Sequence, residues 1–149
     1  MDLLDTDVLY VARFQVSDPR HGISCVALEV AGRLGGGTTV FNVLEFCGLA
    51  SFKLPPEELA TYSNAFAETF GLNVIYPIFG EEPAEAWFTD ALCQNVLARE
   101  ARHMNVGDAA ILWVAEQVPQ SRIITWNVGH FQGRTDLAVL TPQNYLHEA

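Results

Sequence analysis

Basic residues are scarce in this chain: eight Lys and Arg stand against 18 Asp and Glu in 149 residues, a formal net charge of −10. That balance argues against binding nucleic acid by general charge attraction, which needs a basic face that releases counterions. Two accounts of the excess acid stay open beside that of an ordinary acidic protein. Acids cluster in a pocket that metal ions neutralise, or the surface suits a basic protein partner. Cysteine is nearly as scarce, with Cys25, Cys47 and Cys93 far apart and odd in number. This excludes a disulfide framework and fits a reducing cytosol. No apolar run approaches the roughly 20 residues that span a bilayer, so no membrane role is expected. Asp2 and Asp5 stand where a secretory signal carries basic residues, so export is not expected and a cytoplasmic protein is. His21, His103, His130 and His147 lack ligand spacing, so no zinc site is expected. Gly35-Gly36-Gly37 is not followed by the Lys-Ser/Thr of a phosphate-binding loop and reads as a flexible connection.

What is present is a strong apolar pattern. Hydrophobic content of 50% supports a substantial core, and the length suits one domain over residues 1–149. Asp2 to Leu9 reads as a buried strand, and Ile23 to Leu34 as a helix after Ser17-Asp18-Pro19. Thr38 to Leu44, TTVFNVL, is β-branched and aromatic, hence a second strand. Glu45 then opens a helical stretch that breaks before Pro55-Pro56. An amphipathic helix is expected over Glu57 to Phe70, a third strand over Val74 to Ile78, and a long helix from Pro83 to His103. A helix from Asp108 to about Gln117, strands over Arg122–Thr125 and Leu137–Leu140, and a short helix from Pro142 complete the chain. Alternating strands and helices give an α/β domain with a mostly parallel sheet of about five strands, covered on both faces. In such sheets the site lies at the carboxyl ends of the strands.

Asp5 and Asp7 are two apart, so in a strand their carboxylates share one side. At 4 Å they would repel by roughly 4 kcal/mol in an effective dielectric near 20. Protonation, intervening water or a divalent cation relieves that repulsion. Glu45 and Asp108 also lie where a strand or loop gives way to a helix. Singly, each acid reads more readily as a turn or helix-start cap than as a ligand. Together they suggest one metal site. Asp5-Thr6-Asp7-Val8-Leu9 lacks the Thr or Val expected at the fifth position of a phosphoaspartate enzyme.

The segments LDTDVL (Leu4 to Leu9), FNVLEFCGL (Phe41 to Leu49), NVGDAAILWVAEQ (Asn105 to Gln117) and ITWNVGHFQG (Ile124 to Gly133), with the trailing VLTPQNYL, resemble in order and spacing the PIN domain family, in particular the VapC-like toxins. The resemblance implies a three-layer α/β/α sandwich and metal-dependent hydrolysis of RNA phosphodiester bonds with Mg²⁺ or Mn²⁺. It places Asp5, Glu45 and Asp108 at the main acidic positions. Thr6, Asp7, Thr125 and Asn127 follow as supporting residues. It also implies a homodimer, an RNA substrate and a basic antitoxin protein as partner. Two departures stand out: Asn127 occupies a position that is often Asp, and His130 one that is often acidic. They weaken the case for a second ion and keep open a degenerate module that binds RNA or protein without cutting.

Overall fold

The computed structural model describes residues 1–149. In chain order the elements are β1 (Asp2–Leu4), α1 (Thr6–Phe14), α2 (His21–Arg33), β2 (Gly37–Thr39), α3 (Val40–Ala50), α4 (Pro56–Asn64), α5 (Phe66–Phe70) and β3 (Asn73–Ile75). Then come α6 (Ala84–Ala86), a π-helical stretch Trp87–Cys93, α7 (Gln94–Glu100), α8 (Val106–Ala115), β4 (Arg122–Ile124), a 3₁₀ turn Val128–His130, β5 (Ala138–Leu140) and α9 (Pro142–Glu148). The five strands form one sheet in the order β3-β2-β1-β4-β5, and every neighbouring pair is parallel. The expected architecture is therefore present, with all carboxyl ends on one edge.

Alternation along the strands divides the core. Leu4 and Ile124 point to one face, among Val8, Leu9, Phe46, Phe66 and Tyr145; Leu3 and Ile123 point to the other, among Ile111, Leu112 and Phe131. On the first face Phe46 is fully buried, with the rings of Tyr10, Phe14, Tyr62, Phe66 and Phe70 centred 5.2–6.2 Å away. Aromatic pairs at these separations contribute about 0.5–1.5 kcal/mol each beyond their buried area. That cluster fixes α3, and so fixes Glu45, the residue just before Phe46.

Several expectations change. The first strand stops at Leu4, because Asp5 is the N-cap of α1 and its carboxylate accepts the Thr6 N–H. Asp5 and Asp7 therefore do not share a strand face; both sit at a helix start. The second strand is only Gly37–Thr39, since Thr39 and Asn42 form a reciprocal cap that starts α3 at Val40. Glu45 thus lies inside a helix, not at its beginning. The glycine run is packed, not loose: a Cβ on Gly36 would sit 2.9 Å from the carbonyl oxygens of both Ala31 and Asp2, and one on Gly37 would sit 2.7 Å from that of Asn73. Gly35 has φ +73°, the left-handed turn that ends α2. Shorter helices α4 and α5 replace the single one over Glu57 to Phe70, and α7 ends at Glu100 rather than His103.

Candidate active site

At the carboxyl edge of the sheet, a cleft of about 200 Å³ is lined by Asp5, Thr6, Asp7, Glu45, Leu49, Asn105, Asp108, Asn127 and His130. Three acids more than a hundred positions apart at the extremes thus meet in one place. Asp5 arrives on the end of β1, Glu45 on the second turn of α3, and Asp108 in the first turn of α8. The parallel sheet favours this meeting, because β1 and β2 release their chains on the side where α8, which leads back into β4, begins.

Asp5 is 7% exposed and held on three sides. Its Oδ1 accepts the Thr6 N–H at 2.8 Å and an Asn42 Nδ2 proton at 2.8 Å; its Oδ2 accepts the Thr125 hydroxyl at 2.8 Å. Asn42, 1% exposed, also donates to Thr6 Oγ1 at 3.0 Å and accepts from the backbone N–H and hydroxyl of Thr39. A single amide therefore ties the ends of β1 and β2 to the acid. Asn42 was not singled out in the sequence, although the Thr-x-x-Asn spacing of a reciprocal cap is visible there.

Asp7 faces the chain that leaves β4. Its carboxylate accepts the backbone N–H groups of Trp126 at 3.0 Å and Asn127 at 3.1 Å, and the Thr125 hydroxyl lies 3.1 Å away. Thr125 has one proton for two carboxylates. Burial, then the nearby Asp7 charge, push the Asp5 carboxyl up to about 8, against the hydrogen bonds from Thr125 and Thr6; Glu45 adds to the rise. Burial raises Asp7 as well, opposed by the N–H groups that hold it. A protonated Asp5 can donate to Thr125 Oγ1, which then donates to Asp7, and the pair is satisfied with one charge.

The other side of the cleft is more open. Asn105 caps α8, accepting the Asp108 N–H at 2.9 Å and donating from Nδ2 to Asp108 Oδ2 at 2.6 Å. His130 Nδ1 lies 3.0 Å from the same oxygen, so this histidine belongs to the site. Asp108 Oδ1 and both Glu45 oxygens have no protein partner. Trp126 packs inward, its Nε1–H donating to Ser24 Oγ at 2.9 Å, with the Arg20 guanidinium 5.8 Å from its ring centre.

The donors are carboxylate oxygens, the chemistry a hard divalent cation prefers. No group of three or more acids, histidines or thiols is placed to hold an ion directly. The cleft fits an ion that takes one or two carboxylates, from Glu45, Asp108 or the last free lone pair on Asp5, and keeps waters for its other positions.

These features define a PIN-like α/β/α domain. No family model and no curated protein matches the chain. Solved structures do. VapBC-1 from nontypeable Haemophilus influenzae contains a chain 20% identical, with 95% of this chain and 98% of that one covered at a TM-score of 0.62. A toxin–antitoxin complex from Klebsiella pneumoniae gives 20% identity, 95% and 98% coverage and a TM-score of 0.58. FitAcB from Neisseria gonorrhoeae gives 17%, 96% and 99%, also at 0.58. At these identities the likeness shows a shared fold over essentially the whole chain.

Proposed function

We propose that this protein is a metal-dependent endoribonuclease that acts as the toxin of a toxin–antitoxin pair. The observation that carries the reading is the meeting of Asp5, Glu45 and Asp108 in one cleft at the carboxyl edge of the sheet. Bound Mg²⁺ or Mn²⁺ would supply an activated water and offset charge on the phosphate in flight. Asp5, Glu45 and Asp108 would hold that ion, directly or through water. Thr125, Asn42 and the Thr6 N–H fix the position of the Asp5 carboxyl group, which would give up its proton to an arriving ion. Asn105 and His130 do the same for Asp108 Oδ2, leaving Oδ1 for the ion. Asn127, whose backbone Asp7 holds at the rim, has its side-chain amide free to orient water or a phosphate oxygen.

A basic antitoxin segment is the protein partner this surface suits. Beside the acidic cleft runs an apolar groove of about 610 Å³, lined by Phe88, Leu92, Leu97 and Val106 among others and edged by Glu45 and Glu100. Apolar side chains in the groove and a cation reaching the acids would close the site. The complexes named above, VapBC-1 and the Klebsiella toxin–antitoxin pair, support the reading of an antitoxin as partner. A homodimer is the expected assembly of the toxin, to be checked by sedimentation.

A second reading has its own support. His130 binds Asp108 where an acid would help hold a second ion, and no three ligating side chains stand ready around one point. A module that binds RNA without cutting it is consistent with both facts. Purified protein incubated with single-stranded RNA and Mg²⁺ or Mn²⁺ separates the two. The nuclease reading expects cleavage that EDTA stops and that Asp5→Asn lowers by about a hundredfold or more, the loss typical of removing one charge-stabilising group. Cleavage by Asp5→Asn at the wild-type rate sinks it.

A further inference from the structure

We propose that Arg102 and Arg134 form a seat for the phosphodiester backbone of single-stranded RNA, beside the cleft and distinct from the acids that hold the ion. The proposal rests on the nuclease reading for the choice of ligand, though its geometry does not. Arg20, Arg33, Arg99 and Arg122 each pair with a carboxylate. Arg13 and Lys53 lie over the Phe14 ring, at the end of α1 remote from the cleft. Arg102 and Arg134 remain, and neither has a salt-bridge partner.

They are held together all the same, by neutral groups. Arg102 Nη1 donates to the Arg134 carbonyl at 2.8 Å, and Arg134 Nε donates back to the Arg102 carbonyl at 3.0 Å. Arg134 Nη1 also donates to the carbonyls of Gly129 and His130. Carbonyl oxygens fix a guanidinium without cancelling its charge, so two like charges stand side by side unneutralised. Arg102 keeps Nε and Nη2 free, the planar fork that matches a phosphate, and Arg134 keeps Nη2 free beside it. The cavity between them, about 550 Å³, is lined by Arg102, Glu116, Gly133, Arg134, Thr135 and Asp136, with no hydrophobic residue. Glu116 is occupied by Arg99 and by the Thr135 hydroxyl, so the two guanidiniums outnumber the remaining acid, Asp136.

Position completes the argument. Arg134 binds the carbonyl of His130, whose ring touches Asp108 in the cleft. The seat is therefore one residue removed from the acids. An anionic strand entering a cleft of like charge needs a fixed cation nearby, and this is the place where the chain provides a pair of them.

The test is fluorescence anisotropy of the full-length protein in EDTA with a labelled 2′-O-methyl single-stranded 12-mer, titrated across salt concentrations. Each phosphate contact contributes about −0.7 to the slope of log K against log salt for single strands. Arg102→Gln combined with Arg134→Gln is expected to flatten the slope by about 1.4, a roughly 25-fold loss of affinity at 0.1 M salt relative to 1 M. Arg102→Lys with Arg134→Lys keeps the charge but loses the clasp, and is expected to retain most of the slope. An unchanged slope in the glutamine variant, an equal loss in both variants, or no RNA binding by the wild type at low salt overturns the proposal. Metal-dependent cleavage with an unmoved slope leaves the nuclease reading standing without this seat. A moved slope with no cleavage by wild type does the reverse.

Discussion

The two sides of the acidic cleft are built differently. On the β1 side, Asp5 is 7% exposed, capped by Thr6, gripped by Asn42 and bonded to Thr125, with Asp7 close behind. On the α3 and α8 side, Glu45 is exposed and bonded to nothing, while Asp108 leans on Asn105 and His130, both exposed. One half of the site is part of the fold's framework, and the other half is laid on its surface. Changes to the first should therefore register in stability and chemistry together, and changes to the second in chemistry alone.

The largest expected effect is on the pH dependence of stability in EDTA. An unfolded aspartate ionises near 3.9, while Asp5 in the fold is pushed up to about 8 by burial and the charge on Asp7. Between those values the folded chain holds a proton that the unfolded chain has released, so stability falls as pH rises. The contribution is complete below about pH 4 and lost by about pH 8, and at roughly 1.4 kcal/mol per unit it amounts to several kcal/mol. Asp5→Asn keeps the helix cap and removes the titration. Its thermal midpoint should vary less with pH than wild type and match or exceed it at pH 8, in a protein that no longer cleaves RNA. Parallel curves for the two proteins would mean that the Asp5 carboxyl is already ionised in the fold.

Next in size is Asn42→Ala. It strands the Thr6 hydroxyl and the Thr39 N–H in a buried place and takes one of the two donors from Asp5 Oδ1. Losing partners of this kind costs about 2 kcal/mol, or about 4–8 °C in the thermal midpoint for a chain of this size. A midpoint within 1 °C of wild type would show that the amide is not a strut.

How far the sequence carried differs between the same two sides. The alternation of strands and helices around a parallel sheet was legible, because apolar runs recur in an α/β rhythm, and the acids that line the cleft stood out by their places near element ends. Where each element starts was not. In TTVFNVL the β-branched residues suggested a strand, but Thr39 and Asn42 satisfy each other's backbone groups and turn the chain into α3. Local capping outweighed propensity there, as it did at Asp5. The contact between His130 and Asp108, and the clasp between Arg102 and Arg134, join residues 22 and 32 positions apart. No local pattern announces either, since both depend on how the loop after β4 folds back.

Glu45→Gln makes the smallest change and probes the surface half most directly. The side chain is exposed and makes no hydrogen bond, so the thermal midpoint near pH 4 should stay within about 0.5 kcal/mol of wild type in stability. Its charge is nonetheless felt across the cleft, because it helps hold the Asp5 carboxyl above the usual range. Removing it should make the loss of apo stability smaller and let it level off at slightly lower pH, as Asp5 ionises at less cost. Mg²⁺ should bind about tenfold more weakly by calorimetry, the equivalent of 1.4 kcal/mol. Unchanged Mg²⁺ affinity together with an unchanged pH curve would place Glu45 outside the site, and the cleft would then rest on Asp5 and Asp108 alone.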